Sequence, residues 1–122
     1  MGLWPLTDTT NSVGHWEWDV EGDVVRWSDS MYAIYGVEPG TPITYETYLA
    51  RLHPDDRERA ATIVQTAFRD HTRFDYEHRL VRPDGSIRHV RAQGYMIADA
   101  DGRVVRMAGS GHDITPAAPH AS

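Results

Sequence analysis

The last third of the sequence, from Phe74 to Thr115, alternates strand-like segments with two tight turns. The turns are Pro-Asp-Gly at residues 83–85 and Asp-Gly at residues 101–102. Proline presets φ and glycine accepts a positive φ, so both turns suit hairpins. The segments between them are rich in Val, Ile, Tyr and Arg. The run therefore predicts a three-stranded antiparallel meander, whose apolar face other elements must cover.

The first part of the chain predicts a second hairpin. Residues 15–20 alternate strictly and place Trp16, Trp18 and Val20 on one face, which is typical of a half-buried strand. A Glu-Gly-Asp turn follows, and residues 24–27 form the returning strand. The sheet should therefore have five strands, two before the central segment and three after it.

Three helices are expected between the hairpin and the meander. Ser28 and Thr44 suit the N-caps of two short helices, and Gly36 suits the end of the first. The longest helix should begin at Pro54. Its apolar stripe, at spacings of three and four, is Ala60, Ile63, Val64, Ala67 and Phe68. The order of elements predicts an α+β fold, with a five-stranded antiparallel sheet and short helices packed on one face.

Length and composition narrow the class of protein. A chain of 122 residues forms one domain, and we expect a flexible segment at 1–12, the domain at 13–115, and a C-terminal tail or truncated linker at 116–122. The absence of cysteine excludes disulfides and thiolate chemistry. No apolar run has the roughly 20 residues of a membrane span, and no signal peptide is recognisable. We therefore predict a cytoplasmic protein without a membrane contact.

The net charge of −6 is unevenly distributed. Residues 1–78 carry 14 acidic residues and 6 Arg, a balance of −8, whereas residues 79–122 carry 4 acidic residues and 6 Arg, a balance of +2. An acidic protein with one mildly basic sheet is a poor nucleic-acid binder. No G-x-S-x-G, Walker A, H-E-x-x-H or paired-carboxylate pattern is present. The sequence therefore predicts neither nucleic-acid binding nor an enzyme.

Five short motifs, taken in order, resemble the PAS domains of bacterial sensory proteins, with their C-terminal PAC segment. They are GHWEWD at 14–19, WS followed by MYAIYG at 27–36, HPDDR at 53–57, RPDGS at 82–86 and DIT at 113–115. The resemblance covers about 13–115. It implies a five-stranded sheet around helices, and a sensor or interaction module that often holds a small ligand between sheet and helices.

The resemblance also implies how a signal would leave the domain. It assigns signal output to Asp113, Ile114 and Thr115, with the aspartate anchoring the last strand through a basic partner. A ligand or a partner would favour one arrangement of the sheet or dimer over another. An effector domain is then expected on the C-terminal side in the intact protein. Its type, whether kinase, phosphatase, cyclase or RNA-binding, stays open.

A ligand cavity is expected where the apolar faces of the helices and the sheet meet. The candidate lining residues are Met31, Tyr35, Ile63, Val64, Phe68, Phe74, Tyr76, His78, Leu80 and Met107. Inward Tyr76 and His78 would need hydrogen-bond partners. Apolar stripes of this kind also form ordinary filled cores, so a ligand-free PAS dimerisation or docking module is the alternative.

No cofactor is expected as the first choice, and the ligand is unknown. Haem, a known PAS cofactor, needs an axial ligand that is usually a histidine on the longest helix. Alignment places that position near Ala61, while His53 and His71 lie only at the ends of the helix. The cysteinyl-flavin type is excluded by the absence of cysteine, and a non-covalent flavin stays open. His53, Asp55 and Asp56 fit a helix cap better than a metal site.

The resemblance implies a homodimer, formed through the outer face of the sheet or through the N-terminal segment. Candidates for the outer face are His15, Glu17, Arg79, Arg88 and His89. In the N-terminal segment, Leu3 and Trp4 are apolar but belong to no predicted element. The Gly-Ser-Gly run at 109–111 lacks the context of a dinucleotide motif and is expected to let the last strand pass close to a helix or a ligand.

Overall fold

The computed structural model describes residues 13–116. The expected flexible segment, with Leu3 and Trp4, lies outside the described residues, as do residues 117–122 of the expected tail. The elements, in chain order, are β1 (Val13–Asp19), β2 (Val24–Trp27), α1 (Asp29–Tyr35), α2 (Tyr45–Ala50), α3 (Pro54–Asp70), β3 (Phe74–Val81), β4 (Ile87–Ala98) and β5 (Val104–Asp113).

The five strands form one antiparallel sheet in the order β2-β1-β5-β4-β3. Strands β3, β4 and β5 are the predicted meander, and β1 and β2 are the predicted hairpin. Strand β1 pairs with β5, which brings the two ends of the domain together at the centre of the sheet. The predicted α+β fold, with its helices on one face, is confirmed.

The predicted helix caps are present. The Ser28 hydroxyl accepts a hydrogen bond from the backbone N–H of Met31, and Gly36 ends α1 with a φ of 69°. Thr44 forms a capping box with Thr47 at the start of α2. These local bonds fix where each short helix begins, although neither helix is long enough to be stable alone.

Helix α1 packs closely on the sheet because two paired glycines leave room for it. Gly14 of β1 and Gly111 of β5 are register partners. A Cβ atom on Gly14 would lie 2.6 Å from the backbone nitrogen of Met31, and one on Gly111 would lie 3.0 Å from the sulfur of Met31. The Gly-Ser-Gly run therefore passes close to a helix, as the sequence predicts.

Both edges of the sheet are covered by backbone from the helical segment. At the β3 edge, the N–H of His53 donates to the carbonyl of Arg79 at 2.9 Å, and the N–H of Val81 donates to the carbonyl of Arg51 at 3.0 Å. At the other edge, the N–H of Val25 donates to the carbonyl of Ile43 at 3.0 Å. Exposed strand edges invite pairing with other chains, and these bonds occupy part of each edge.

Asp56, in the first turn of α3, holds that helix to the β3 edge. Its buried carboxylate accepts hydrogen bonds from three nitrogens of Arg79: the backbone N at 2.7 Å, Nη2 at 2.9 Å and Nε at 3.1 Å. These bonds hold the pKa of Asp56 well below its usual range. Arg79 therefore has the outer-face register position that the sequence predicts, opposite His89, but its guanidinium is bound to this carboxylate and is not available to a partner.

We predict that Asp56→Ala lowers the free energy of unfolding by about 2–3 kcal/mol, because it leaves the Arg79 N–H and guanidinium without their acceptor. Asp55→Ala is the matched control, since the neighbouring Asp55 side chain is 77% exposed and should cost no more than about 0.5 kcal/mol. Urea denaturation at pH 7 measures both. If both variants lose the same free energy of unfolding, the effect comes only from the negative charge at the start of α3 and not from the bonds to Arg79.

Candidate functional site

A cavity of about 50 Å³ lies between the helices and the inner face of the sheet. Six of the predicted residues line it: Met31, Tyr35, Val64, Phe74, Tyr76 and Met107. The remaining lining residues are Trp16, Trp18, Val25, Trp27, Tyr45, Tyr48, Val90, Ala92, Ser110 and Gly111. The lining therefore comes from every strand of the sheet and all three helices.

Four predicted lining residues lie elsewhere. His78 and Leu80 are buried on the inner face but further along β3, beyond the cavity, and Ile63 packs half-buried against the core. Phe68 is 38% exposed. The buried stripe of α3 runs through Ala60, Val64 and Ala67, and Phe68 lies about 100° around the helix from Ala67. The prediction that these four line the cavity is therefore wrong.

Aromatic rings form most of the cavity wall. Trp18 stacks on Tyr45 with ring centroids 5.0 Å apart. Trp16 lies nearly parallel to Phe74 at 5.9 Å, with an interplanar angle of 13°. Both tryptophans and Tyr45 are only part-buried, so this side of the cavity is the one that leads towards solvent.

A hydrogen-bonded cluster of tyrosines and His78 lies at the inner side of the cavity. The Tyr48 and Tyr76 hydroxyls are 2.9 Å apart, and the Tyr48 hydroxyl is 3.5 Å from Nε2 of His78. His78 Nδ1 is 3.4 Å from the carbonyl oxygen of Arg79, which can only accept. His78 Nδ1 therefore carries the proton, Nε2 accepts from Tyr48, and Tyr76 donates to Tyr48.

Every titratable group in this cluster is held in its neutral form. Burial raises the pKa of Tyr76 to about 12, and burial together with the neighbouring tyrosines raises the pKa values of Tyr35 and Tyr48. Burial lowers the pKa of His78 to about 4. At neutral pH the cluster therefore offers hydroxyl groups without any charge.

The residues around the cavity do not fit haem. Helix α3 has no histidine between Pro54 and Asp70. The His53 ring caps the helix by accepting from the N–H of Asp55, and His71 is exposed at its other end. The lining residues offer no imidazole, and a cavity of about 50 Å³ is too small for haem or flavin. Among residues 13–116, no cluster of His, Asp and Glu is arranged to hold a metal ion.

The last residues of the described chain are fastened to β4. Asp113 accepts from Arg88 Nη2 at 2.7 Å and Nε at 3.0 Å, and also from the backbone N–H of Thr115. Burial acts to raise the pKa of Asp113, but the bonds from Thr115 and Arg88 lower it overall. The N–H of Ile114 donates to the carbonyl of His89 at 2.8 Å. The expectation that Arg88 belongs to the outer face is wrong, because it pairs in register with inward Leu80.

The outer face of the sheet carries a wide groove of about 680 Å³. His15, Glu17, Tyr95 and Arg106 are among the residues that line it. Glu17 is only 5% exposed, its Oε1 lies 3.8 Å from Arg26, and its Oε2 has no hydrogen-bond partner within residues 13–116. Because the groove combines charged side chains with the exposed ring of Tyr95, it is a second candidate site.

The sequence predicted three of the eight aromatic residues in the cavity wall and missed the other five, which are Trp16, Trp18, Trp27, Tyr45 and Tyr48. Trp16 and Trp18 were assigned to one face of β1, and Tyr45 and Tyr48 follow helical spacing in α2. The strand period of β1 and the helix period of α2 show that each element has one apolar face. These periods do not show that Trp18 stacks on Tyr45, because that contact depends on Asp23, which accepts from the indole N–H of Trp18 and from the backbone N–H of Tyr45.

Comparisons with known proteins agree on one family. A family model described as "PAS fold" matches residues 24–110. The chain is 26% identical over 110 residues to "Probable diguanylate cyclase DgcE" of Escherichia coli, covering 90% of this chain and 10% of that protein. It is 29% identical over 102 residues to "Sensor protein FixL" of Bradyrhizobium diazoefficiens, covering 84% of this chain and 20% of that protein. The chain thus spans a fifth or less of these curated relatives.

Among solved structures, the fold resembles the N-terminal domain of a diguanylate cyclase with PAS/PAC sensor from Marinobacter aquaeolei. The TM-score is 0.80 at 19% identity, and the match covers 84% of this chain and 95% of that one. At this identity the likeness establishes the fold alone.

We predict that His78 makes the stability of the protein fall between pH 7 and pH 4.5. Its folded pKa of about 4 lies below the ordinary value of 6.5. The unfolded chain therefore binds a proton first, and stability is lost as the pH falls from 6.5 towards 4. Linkage gives a loss of about 2–3 kcal/mol over this range.

His78→Gln keeps a group that can form a hydrogen bond with Tyr48 but cannot bind a proton in this pH range. We therefore expect the variant to lose about 2–3 kcal/mol less stability than the wild type between pH 7 and pH 4.5. Urea denaturation of both proteins at pH 7 and at pH 4.5 gives the comparison. Asp56 does not interfere, because its pKa is lowered and it loses its charge only below this range. If both proteins lose the same stability between pH 7 and pH 4.5, His78 is not the group responsible for the pH dependence.

Proposed function

Because the chain belongs to the PAS family, it is a signal-sensing module, and we propose that it senses a small ligand in the inner cavity. The signal would pass through β5 to an effector domain outside this chain. The relatives named above support the effector, since one carries its matching region within a protein named as a diguanylate cyclase. The kind of effector, like the cytoplasmic location, remains a prediction.

The observation that carries this proposal is the position of β5. Met107 and Gly111 of this strand line the cavity from the inner face, and Asp113 follows Gly111 after a single intervening residue. A ligand that packs against the backbone of Gly111 therefore acts within two residues of the bonds that fasten the end of β5. Short distances of this kind allow direct mechanical coupling through one strand.

The fastened end of β5 is the element that can exist in two arrangements. In the bound-down arrangement, Arg88 holds Asp113 and the N–H of Ile114 bonds to β4. In the other, these bonds are open and the chain leaves the sheet earlier. A ligand shifts this equilibrium only by as much as it prefers one arrangement. We therefore propose a non-catalytic relay in which Asp113, Ile114 and Thr115 form the output.

A second candidate function is a docking or dimerisation module that binds no ligand. It is favoured by the size of the cavity, since about 50 Å³ holds one or two water molecules. In this case the partner itself would provide the signal. The two candidates differ in whether a molecule is bound inside the purified protein.

Native mass spectrometry of the freshly purified chain, followed by hydrogen exchange before and after ligand removal, tests the ligand-sensing proposal. We expect a bound small molecule, and we expect its removal to change the exchange rate of the Ile114 amide several-fold. The reason is that this amide reports directly on the fastened end of β5. A protein without bound mass, whose Ile114 exchange is unchanged across a metabolite mixture, would support the docking module instead.

Two arginine variants distinguish signal transmission through Asp113 from a general destabilisation of β4. In Arg88→Ala the Ile114 amide should exchange fast with or without ligand, because its anchor is gone. Arg91→Ala removes a comparable pair with Asp75 on the outer face of the same strand, and it should preserve the ligand-dependent change. If Arg88→Ala preserves that change as well, Asp113 is not the output.

We also propose that two copies of the chain pair through the outer groove. Support comes from Tyr95, which lies in this groove with 47% of its surface exposed. Residues of both charges line the groove, for example Asp75 and Arg106. A two-fold interface can therefore set opposite charges against each other.

Tyr95→Glu should convert the predicted dimer to a monomer, because it places a charge in the centre of the interface. Thr66→Glu, on the exposed side of α3, is the matched control and should remain dimeric. Light scattering coupled to size-exclusion chromatography measures both. A wild-type monomer at high concentration would end the proposal, whereas a dimer lost only on deletion of residues 1–12 would move the interface to that segment.

A further inference from the structure

The wall of the inner cavity carries no charge. None of its sixteen lining residues is Asp, Glu, Lys, Arg or His. The raised pKa values of Tyr35, Tyr48 and Tyr76 keep their hydroxyls protonated at neutral pH. A charged ligand would therefore lose its water without gaining a counter-ion, which costs several kcal/mol. The cavity thus selects against anions. It also selects against cations, except where contact with the faces of the aromatic rings offsets the loss of their hydration.

The shape of the wall is set by flat rings. Two nearly parallel pairs, Trp16 with Phe74 and Trp18 with Tyr45, lie on its solvent side. Tyr35 and Trp27 form a third close pair, with centroids 4.5 Å apart. Rings of this kind offer stacking and edge contacts to another planar ring, and such contacts add to the gain from burial alone.

Hydrogen-bonding groups are few and close together. The Tyr48 and Tyr76 hydroxyls, 2.9 Å apart, are the polar pair at the inner side. Tyr76 donates to Tyr48 and Tyr48 donates to His78, so each hydroxyl can still accept a hydrogen bond from a ligand. On the opposite side, Ser110 lies in register with outer-face His15 and Gln93, and its hydroxyl is 3.2 Å from His112. Its carbonyl accepts from the indole N–H of Trp16. The wall therefore suits a ligand with one polar group, placed against the two tyrosines.

The available space limits the ligand to one ring. The cavity of about 50 Å³ is smaller than the roughly 150 Å³ that holds a benzene molecule in an engineered protein cavity. Met31, which is buried against Gly111, can supply part of the difference, because an unbranched thioether side chain repacks easily. A two-ring ligand would require the backbone of the sheet or helices to move.

We propose that the ligand of this cavity is an uncharged, single-ring aromatic molecule that carries one hydrogen-bonding group. It enters beside Trp18 and Tyr45, displaces the Met31 side chain, and places its polar group against Tyr48 and Tyr76. This inference rests on the ligand-sensing function proposed above, and it specifies the chemistry of the ligand.

Four probes of similar size test the ligand class, each titrated into the full chain at pH 7 with calorimetry and tryptophan fluorescence as readouts. Phenol is uncharged and aromatic, cyclohexanol keeps the hydroxyl without the ring, benzoate is an anion, and benzyltrimethylammonium is a cation that favours ring faces. We expect phenol to bind with a dissociation constant of about 1 mM or lower. We expect each of the other three to bind at least roughly tenfold more weakly.

Variants on both faces of β4 locate the binding. Ala92→Leu fills the cavity and should weaken phenol binding at least roughly tenfold. Gln93→Leu, the next residue, faces the outer groove and should leave binding unchanged. Met31→Ala enlarges the cavity and should tighten phenol binding several-fold, which gives a result even if Ala92→Leu does not fold.

The outcomes separate this inference from the function on which it rests. Preferred binding of benzoate, cyclohexanol or benzyltrimethylammonium, lost in Ala92→Leu, would overturn the ligand class while the ligand-sensing function stands. Phenol binding that is equal in wild type, Ala92→Leu and Met31→Ala would place it outside the cavity and overturn the inference. Failure of all four probes, together with no bound mass in native mass spectrometry, would overturn both.

Discussion

The bond between Asp56 and Arg79 is the contact on which the arrangement of sheet and helices depends. One carboxylate at the start of α3 accepts from the backbone and the guanidinium of the edge strand β3. It therefore covers part of an open sheet edge and fixes the helix against the sheet. Val64 of that helix and Tyr76 of that strand then face each other across the cavity. Together with the backbone bonds of His53 and Val81 to the same edge, this attachment holds the two sides of the aromatic wall at a fixed distance.

The inner face and the far end of the sheet are connected through β5. This strand lies between β1 and β4, lines the cavity with Met107 and Gly111, and ends at the bonded Asp113. A central strand is paired on both sides, so a displacement at one point is carried along its length. The neutral cluster of His78 and the tyrosines keeps the opposite wall uncharged. The wall therefore limits which ligands the cavity can bind, and β5 is the strand through which binding would affect Asp113.

Most of the fold could be predicted from the sequence, because its signals are local. The turns at 83–85 and 101–102, the cap at Ser28 and the proline that opens α3 all act within a few residues. The candidate site was predicted only in part. Phe68 matched the apolar spacing of α3 but lies outside the core, and Arg88 was assigned to the outer face although it pairs with Asp113. Both errors depart from the period of the element itself. Phe68 lies about 100° around the helix from buried Ala67, and Arg88 lies on the same side of β4 as buried Val90 and Ala92.

The sequence by itself determined the class of the protein: five strands, three capped helices and the ordered motifs of a PAS domain. The tertiary structure decided which apolar faces meet. Trp18 stacks on Tyr45 because Asp23, in the turn between β1 and β2, accepts from the indole N–H of Trp18 and from the backbone N–H of Tyr45. The guanidinium of Arg79 is bound by Asp56 because α3 begins beside the β3 edge. The physical reason is that local signals depend on the backbone angles of neighbouring residues. A cavity depends on distances between residues far apart in the chain, which packing alone sets.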